Sequence, residues 1–148
     1  MKLGQYEAAI SSYDRALAVN PDDPQTLTNR GNALRYTGRY DEAIAAYDRV
    51  ISLKPTYQPV YYDKAAIYAL QGNIEQALEN LREGVRLLAT WRASGSVSNY
   101  AIASAQDPPF NSVRELPEFQ ALMQEAEASY QKIFGTPTGF YPDYPPAE

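Results

Sequence analysis

Three glycines, Gly4, Gly38 and Gly72, stand 34 residues apart, and this spacing constrains the fold more than any other feature of the chain. The stretch from Gly4 to Pro21, GQYEAAISSYDRALAVNP, returns as GRYDEAIAAYDRVISLKP from Gly38 to Pro55, with eight of eighteen positions identical. A fixed period of this length indicates an array of repeated structural units. The sequence therefore predicts stacked copies of one small motif.

Each unit is predicted to be a pair of helices joined by a turn. In the second unit, Asp23 is a suitable N-cap for a helix over about 24–36, and Gly38 provides the permissive backbone of a helix end. A second helix begins near Tyr40 and stops before Pro55. Its apolar residues fall on one helical face: Ala43, Ile44, Tyr47, Val50 and Ile51.

The third unit repeats this pattern. Pro59 opens a helix through Leu70, Gly72 provides the turn, and a second helix is expected from Ile74 to Thr90. Its inward residues are expected to be Ala77, Leu78, Leu81, Val85 and Leu88. Because two short antiparallel helices cannot each bury a face alone, such units are predicted to stack on their neighbours.

These residues resemble the tetratricopeptide repeat. The second unit carries the signature residues at the signature spacing: Leu27, Gly31, Leu34, Gly38, Tyr40, Ala43, Tyr47 and Pro55. The third unit keeps Tyr61, Ala65, Tyr68, Gly72, Ala77 and Leu81, but has Ile74 in place of the usual aromatic residue and no proline after its second helix. The resemblance implies an all-α fold, an α-α superhelix of antiparallel helix pairs.

The predicted organisation has three parts. Residues 1–90 form the repeat array: a partial repeat over 1–23 that supplies only the second helix, and full repeats over 24–57 and 58–90. Residues 91–135 lose the period and are predicted to form a helical cap on the open face of the third repeat, with a modest helix near 97–105 and a longer one from Pro117 to Phe134. Residues 136–148 are rich in proline and tyrosine and form a flexible tail.

The resemblance also implies a function, namely a protein-interaction adaptor that binds a peptide or helix in a concave groove lined by the first helix of each repeat. The corresponding groove positions are Gln25, Thr28, Asn29, Asn32, Arg35, Tyr36, Tyr62, Asp63, Ala66 and Ala69. Asparagine side chains can hold a peptide backbone through a paired donor and acceptor, and tyrosine can stack on its side chains. The alternative for any one of these residues is a solvated helix face.

Two further patterns bear on the partner. The clamp of lysine, arginine and asparagine with which some relatives bind acidic chain ends is incomplete here, because Pro59 and Asp63 stand where its last cations belong. Arg30, Arg35 and Arg39 form a small basic group, which could meet an acidic partner or a phosphate, or could pair with the nearby acidic residues of the second repeat.

A structural self-association module is the alternative function. Because the first unit lacks its first helix, the face of Ile10, Tyr13 and Leu17 is expected to lack its natural partner and to seek another. Either this chain is part of a longer array, or another surface covers that face. The tail residues Phe140, Tyr141 and Tyr144 could dock in the groove of the same or a neighbouring molecule, the alternative being a disordered terminus.

Composition excludes most catalytic chemistry. The chain has no Cys and no His, so thiolate nucleophiles, imidazole bases and the usual zinc ligands are excluded, and we expect neither an enzyme nor a metal nor a cofactor. Residues 58–148 carry the whole net charge of −5, which argues against nucleic acid as a partner. Without an apolar run of membrane-spanning length, we expect no membrane insertion, and a cytoplasmic location.

Overall fold

The computed structural model describes residues 2–88 and 107–135, which form α-helices and one short 3₁₀ helix. The helices are α1 (Leu3–Val19), α2 (Pro24–Tyr36), α3 (Tyr40–Leu53), α4 (Pro59–Leu70), α5 (Ile74–Leu88) and α6 (Pro117–Phe134), with the 3₁₀ helix at Pro108–Phe110. Consecutive helices pack against each other in pairs. The predicted all-α array is therefore confirmed. The predicted helix near 97–105 and the tail lie outside the described residues.

The start of α2 follows from its first residues. The Asp23 side chain accepts a hydrogen bond from the Thr26 backbone N–H at 2.9 Å and another from the Thr26 hydroxyl. Because these donors favour the ionised form, they lower the pKa of the Asp23 carboxyl. Pro24 is the first helical residue, where its missing N–H costs nothing. The N-cap predicted from the sequence is present.

The two turns inside the full repeats share one geometry. Gly38 and Gly72 have φ values of 77° and 73°, in the left-handed region that favours glycine. At the first turn the Arg39 N–H donates to the Leu34 carbonyl at 2.9 Å, and 34 residues later the Asn73 N–H donates to the Tyr68 carbonyl at 2.8 Å. The sequence period is thus reproduced in the backbone.

The helices of a repeat cross closely where small residues stand. Ala43 and Ala77 are fully buried. At Gly31 the face of α2 is so near to α3 that an added Cβ would lie 2.5 Å from Cε1 of Tyr47. A glycine at this position lets the Tyr47 ring fill the space between the two helices.

Two clusters of buried side chains form the core. The first runs from Ile10 of α1 through α2, α3 and α4 to Leu87 of α5. The second joins α4 and α5 to the segment after residue 106, in which α6 packs on α5 and the 3₁₀ helix packs on α4. That segment contributes Phe110, Val113, Phe119, Leu122 and Ala126. The described part of the predicted cap therefore shares one core with the last repeat.

Candidate functional site

The groove positions of α2 form an accessible row of polar and aromatic side chains. Gln25 and Tyr36 are exposed, with Tyr36 at 57%, and Asn29, Asn32 and Arg35 are half-buried. We call these five residues the open stripe. Because they recur every three or four residues, they share one side of α2. Thr28 does not belong to it, since Thr28 is buried and its hydroxyl donates to the Pro24 carbonyl at 2.8 Å.

The groove positions of α4 are closed. Tyr62 is 1% exposed, and Asp63, Ala66 and Ala69 are buried as well. Tyr62, Ala66 and Ala69 lie in one buried cluster with Phe110 and Val113 of the chain after residue 106. The expectation that these four α4 residues line an open groove is therefore wrong, because the chain itself covers that half.

Tyr62 has a structural role between the two helices of its repeat. The Gln58 side-chain Nε2 donates to the Tyr62 hydroxyl at 3.0 Å and to the Gly84 carbonyl at 2.8 Å. A Cβ added at Gly84 would lie 2.8 Å from Cζ of Tyr62. Burial raises the pKa of the Tyr62 phenol, so this hydroxyl remains protonated at neutral pH. The close approach at Gly84 was not predicted, although a glycine within a helix is a signal of close packing.

The amide oxygens of the two asparagines in the open stripe accept hydrogen bonds within the protein. The Gln25 Nε2 group donates to Asn29 Oδ1 at 3.1 Å. The Tyr47 hydroxyl donates to Asn32 Oδ1 at 2.6 Å. In this arrangement each asparagine oxygen is turned toward its donor and the NH₂ group is turned away.

An aromatic pair with a cation stands at the C-terminal end of the open stripe. The rings of Tyr6 and Tyr36 are stacked with centroids 5.0 Å apart and planes inclined by 17°. The Arg35 guanidinium carbon lies 4.8 Å from the centroid of the Tyr36 ring, and Nη2 of Arg35 donates to the Tyr36 hydroxyl at 3.3 Å. The contact of Tyr6 with Tyr36, which the repeat pattern did not predict, joins α1 to α2.

A buried carboxyl lies near this cation. Burial raises the pKa of Asp63 to about 6, and the charge of Arg35 opposes that rise, whereas the charge of Asp107 adds to it. Within the described residues no ion pair joins Arg35 to Asp63, and Nε of Arg35 is buried without a hydrogen-bond acceptor. Arg35 thus influences Asp63 through space but is not neutralised by direct contact.

The other two arginines of the basic group are paired. Nε of Arg30 lies 2.6 Å from the Asp14 carboxylate, and Arg39 contacts Glu42 at 2.8 Å and Glu7 at 3.5 Å. The hydrogen bonds from Arg39 lower the pKa of the Glu42 carboxyl. The alternative of pairing with nearby acids therefore holds for Arg30 and Arg39, and Arg35 differs from both.

A small polar pocket lies at the opposite end of α2. It has a volume of about 100 Å³ and is lined by Asp23, Pro24, Gln25, Lys54 and Tyr57. Lys54 is exposed and makes no ion pair within the described residues. This places a second cation at the N-terminal end of the open stripe, which the sequence analysis did not identify.

The face of α1 that was expected to be unpartnered is partly covered. Ile10 is 3% exposed and packs in the first core cluster, so the expectation of an open face is wrong for this residue. Tyr13 and Leu17 are half-buried against the same cluster. The exposed apolar side chains of α1 are instead Leu3 at 63% and Val19 at 88%. Phe140, Tyr141 and Tyr144 lie outside the described residues.

The described ranges contain neither a cluster of metal-ligating side chains nor a helix that could span a membrane. No group of three or more Asp and Glu side chains in residues 2–88 and 107–135 is arranged to hold a metal ion. None of the helices in those ranges combines the length and the apolar character needed to cross a membrane.

Comparison with known proteins agrees with this architecture. Two models of the tetratricopeptide repeat family match residues 1–58 and 34–90, which together span both full repeats and the partial one. A U-box domain-containing protein 70 of Oryza sativa subsp. japonica is 35% identical over 85 residues. That match covers 57% of this chain and 11% of the rice protein. The helix pairs, their 34-residue period and the two family matches lead to one conclusion: this chain belongs to the tetratricopeptide repeat family.

Proposed function

We propose that this protein is an adaptor that binds a peptide or helix of a partner protein along the open stripe. Tetratricopeptide repeats indicate a protein-interaction scaffold in general, and the finer proposal concerns the surface used. The observation that supports it best is Tyr36, which is 57% exposed yet held by Tyr6 and Arg35. An exposed aromatic ring that is already ordered can contact a ligand with little further loss of side-chain entropy.

The contact surface that we propose is shorter than a groove running over both full repeats. Because the α4 half is buried beneath Phe110 and Val113, a ligand would contact α2 and the adjoining part of α1. From Gln25 to Tyr36, α2 advances about 16 Å at about 1.5 Å per residue, which corresponds to about five residues of an extended peptide. We expect no catalytic step at this surface.

Peptide display on the immobilised protein tests this proposal. Selected peptides should bind the wild type in solution, and the combined Asn32→Ala, Arg35→Ala and Tyr36→Ala variant should bind them at least about tenfold more weakly. A matched control replaces three exposed residues on α5 and α6, Arg82, Gln120 and Gln124, with alanine. Both variants are compared by thermal unfolding, so that a loss of binding is not a loss of fold. Equal weakening in both variants, or in neither, would contradict the proposal.

Self-association is the second candidate, and the exposure of Leu3 and Val19 on α1 favours it. Within the described residues α1 packs against α2 alone among the helices, so no other described helix covers the rest of its surface. Sedimentation over about a hundredfold range of concentration tests this idea. A rise in mass that Leu3→Ser and Val19→Ser abolish would support it, and a constant monomer mass would exclude it.

A further inference from the structure

The asparagines and Arg35 of the open stripe offer unengaged hydrogen-bond donors. Oδ1 of Asn29 and Oδ1 of Asn32 are both engaged, by Gln25 and Tyr47. Within the described residues the Nδ2 groups of the two asparagines have no acceptor. Each asparagine oxygen thus has one of its two lone pairs engaged, whereas its NH₂ group has no acceptor within the described residues, so these amides present mainly N–H groups to a ligand.

Arg35 adds the strongest donors to this row. Its Nε is buried without an acceptor, and the hydrogen bond that its side chain makes within the described residues goes from Nη2 to the Tyr36 hydroxyl at a weak 3.3 Å. Arg30 and Arg39, by contrast, each contact a carboxylate within 3 Å. A guanidinium is always charged and fits the two oxygens of a carboxylate. Arg35 is thus a partly desolvated cation whose anionic partner is missing from the described structure.

These donors are close enough to act on one short segment of a ligand. Asn29, Asn32 and Arg35 follow each other at three-residue intervals, so they span about 9 Å of helix at about 1.5 Å per residue. An extended peptide covers that distance with about three residues. The exposed ring of Tyr36 adjoins Arg35 and offers an apolar surface to a neighbouring side chain.

We propose that the open stripe selects an acidic peptide, in which an aspartate or glutamate side chain pairs with Arg35 and further oxygen atoms accept from Asn29 and Asn32. This inference rests on the proposed function and specifies the chemical class of its partner. A carboxylate carries only acceptors and a negative charge, which is the complement of what the stripe presents.

The charges around the stripe agree with this occupant. Lys54 places an additional cation at the far end, without an ion pair in the described residues. Asp23 is near Lys54, but its carboxylate is engaged at the helix N-terminus by Thr26. Asp63 is buried and makes no ion pair with Arg35 within the described residues, so it does not occupy the terminal Nη groups of the guanidinium.

Fluorescence anisotropy with a pair of synthetic peptides tests the inference. The probe is an amide-capped, fluorescein-labelled peptide of Glu, Ser, Gly and Leu, and its twin has Gln at every Glu position. We expect the acidic peptide to bind the wild type at least about tenfold more tightly than its twin, with a preference that falls as salt is added. Capped ends restrict the comparison to side-chain carboxylates.

Two substitutions assign the preference to the stripe. Arg35→Gln should bring the two affinities to within about twofold of each other, whereas Arg82→Gln, which removes an exposed arginine from α5, should leave the ratio unchanged. Asn29→Asp is an independent variant that still accepts from Gln25 but places a carboxylate among the donors. It should weaken binding of the acidic peptide and not of its twin.

The outcomes separate this inference from the proposed function. Equal affinity for the two peptides, with Tyr36→Ala weakening both, would overturn the acidic preference and leave the stripe as a binding surface. A preference that survives both Arg35→Gln and Asn29→Asp would place the acidic site elsewhere and overturn the inference. If neither peptide binds although displayed peptides do, the acidic preference is also wrong. If the displayed peptides do not bind either, the proposed function is also wrong.

Discussion

At the scale of single residues, the same residue types have opposite roles in the two full repeats. Tyr36 of α2 is exposed and stacked on Tyr6, whereas Tyr62 of α4 is buried against Gly84. The sequence predicted both as groove residues, because repeat positions report only which side of a helix a residue occupies. What covers that side depends on packing between segments distant in sequence, and single-sequence periodicity carries no such information.

Gly31→Ala should destabilise the protein by about 1–3 kcal/mol, because its Cβ would lie 2.5 Å from the Tyr47 ring and the ring has no free space to enter. Urea unfolding measures the change. Gly4→Ala is the matched control, since nothing lies within 4 Å of its added Cβ and α1 should gain helix propensity. Equal stability of Gly31→Ala and wild type would show that α2 and α3 can move apart without a loss in the free energy of unfolding.

Asp63→Asn should stabilise the protein at pH 7.5 by up to about 3 kcal/mol, at about 1.36 kcal/mol per unit of pKa. Burial raises the pKa of Asp63 from 3.8 to about 6, so the folded state binds the proton more tightly than the unfolded state. The free energy of unfolding of the wild type therefore falls as pH rises from about 4 to about 6, and the variant lacks that fall.

Urea unfolding of wild type and Asp63→Asn across pH 4 to 8 checks this expectation. The difference between the two proteins should vanish near pH 4, where Asp63 is protonated in the folded state. Subtracting the two profiles cancels the contributions of other carboxyls, including Glu42, whose pKa is lowered. A variant less stable than wild type at pH 7.5 would mean that the attraction to Arg35 outweighs desolvation.

At the scale of helices, signals from neighbouring residues in the sequence were sufficient to predict the helices of the repeats, but not all of those in the cap. The boundaries of α2 and α4 follow from Asp23, Pro24 and Pro59, and their turns follow from Gly38 and Gly72. These are interactions between near neighbours in sequence. The 3₁₀ helix over Pro108–Phe110 and its position on α4 depend on tertiary burial of Phe110, and the sequence pattern predicted no helix at these residues.

Phe110→Ala should destabilise the protein by about 3–5 kcal/mol, because Phe110 is 1% exposed and fills the core between α4 and α6. The Phe119 ring, 5.9 Å away between centroids, loses its aromatic neighbour as well. Leu70→Ala is a suitable control, because Leu70 on α4 is 47% exposed and its truncation should cost little. Thermal or urea unfolding of the wild type and the two variants measures these changes. Similar losses of stability for both variants would contradict this packing.

At the scale of the whole molecule, the repeats are linked by contacts that keep the sequence period. Arg30 of α2 contacts Asp14 of α1 at 2.6 Å, and 34 residues later Lys64 of α4 contacts Asp48 of α3 at 2.6 Å. Each pair joins one repeat to the next. Because such exposed pairs are worth about 0–1 kcal/mol, they set register more than stability, and the apolar clusters must supply most of the coupling between repeats.

The number of neighbours then predicts how stability varies along the array. Within the described residues α1 packs on α2 alone, whereas α3 packs on both α2 and α4. In an array whose units contact only their neighbours, a helix with one neighbour opens at lower free energy than a helix with two. Native-state hydrogen exchange should therefore show α1 amides exchanging through partial opening, and α3 amides exchanging only near global unfolding.

Ile10→Ala sharpens this test, because Ile10 is the side chain of α1 that is buried in the first core cluster. The substitution should accelerate exchange in α1 by about tenfold or more, the effect of losing at least about 1.4 kcal/mol, and should leave α5 nearly unchanged. Ser11→Ala, on the exposed side of α1, is the control and should have little effect. Exchange that accelerates equally in α1 and α5 would instead mean that the array opens as one unit, with the two core clusters coupled through α4.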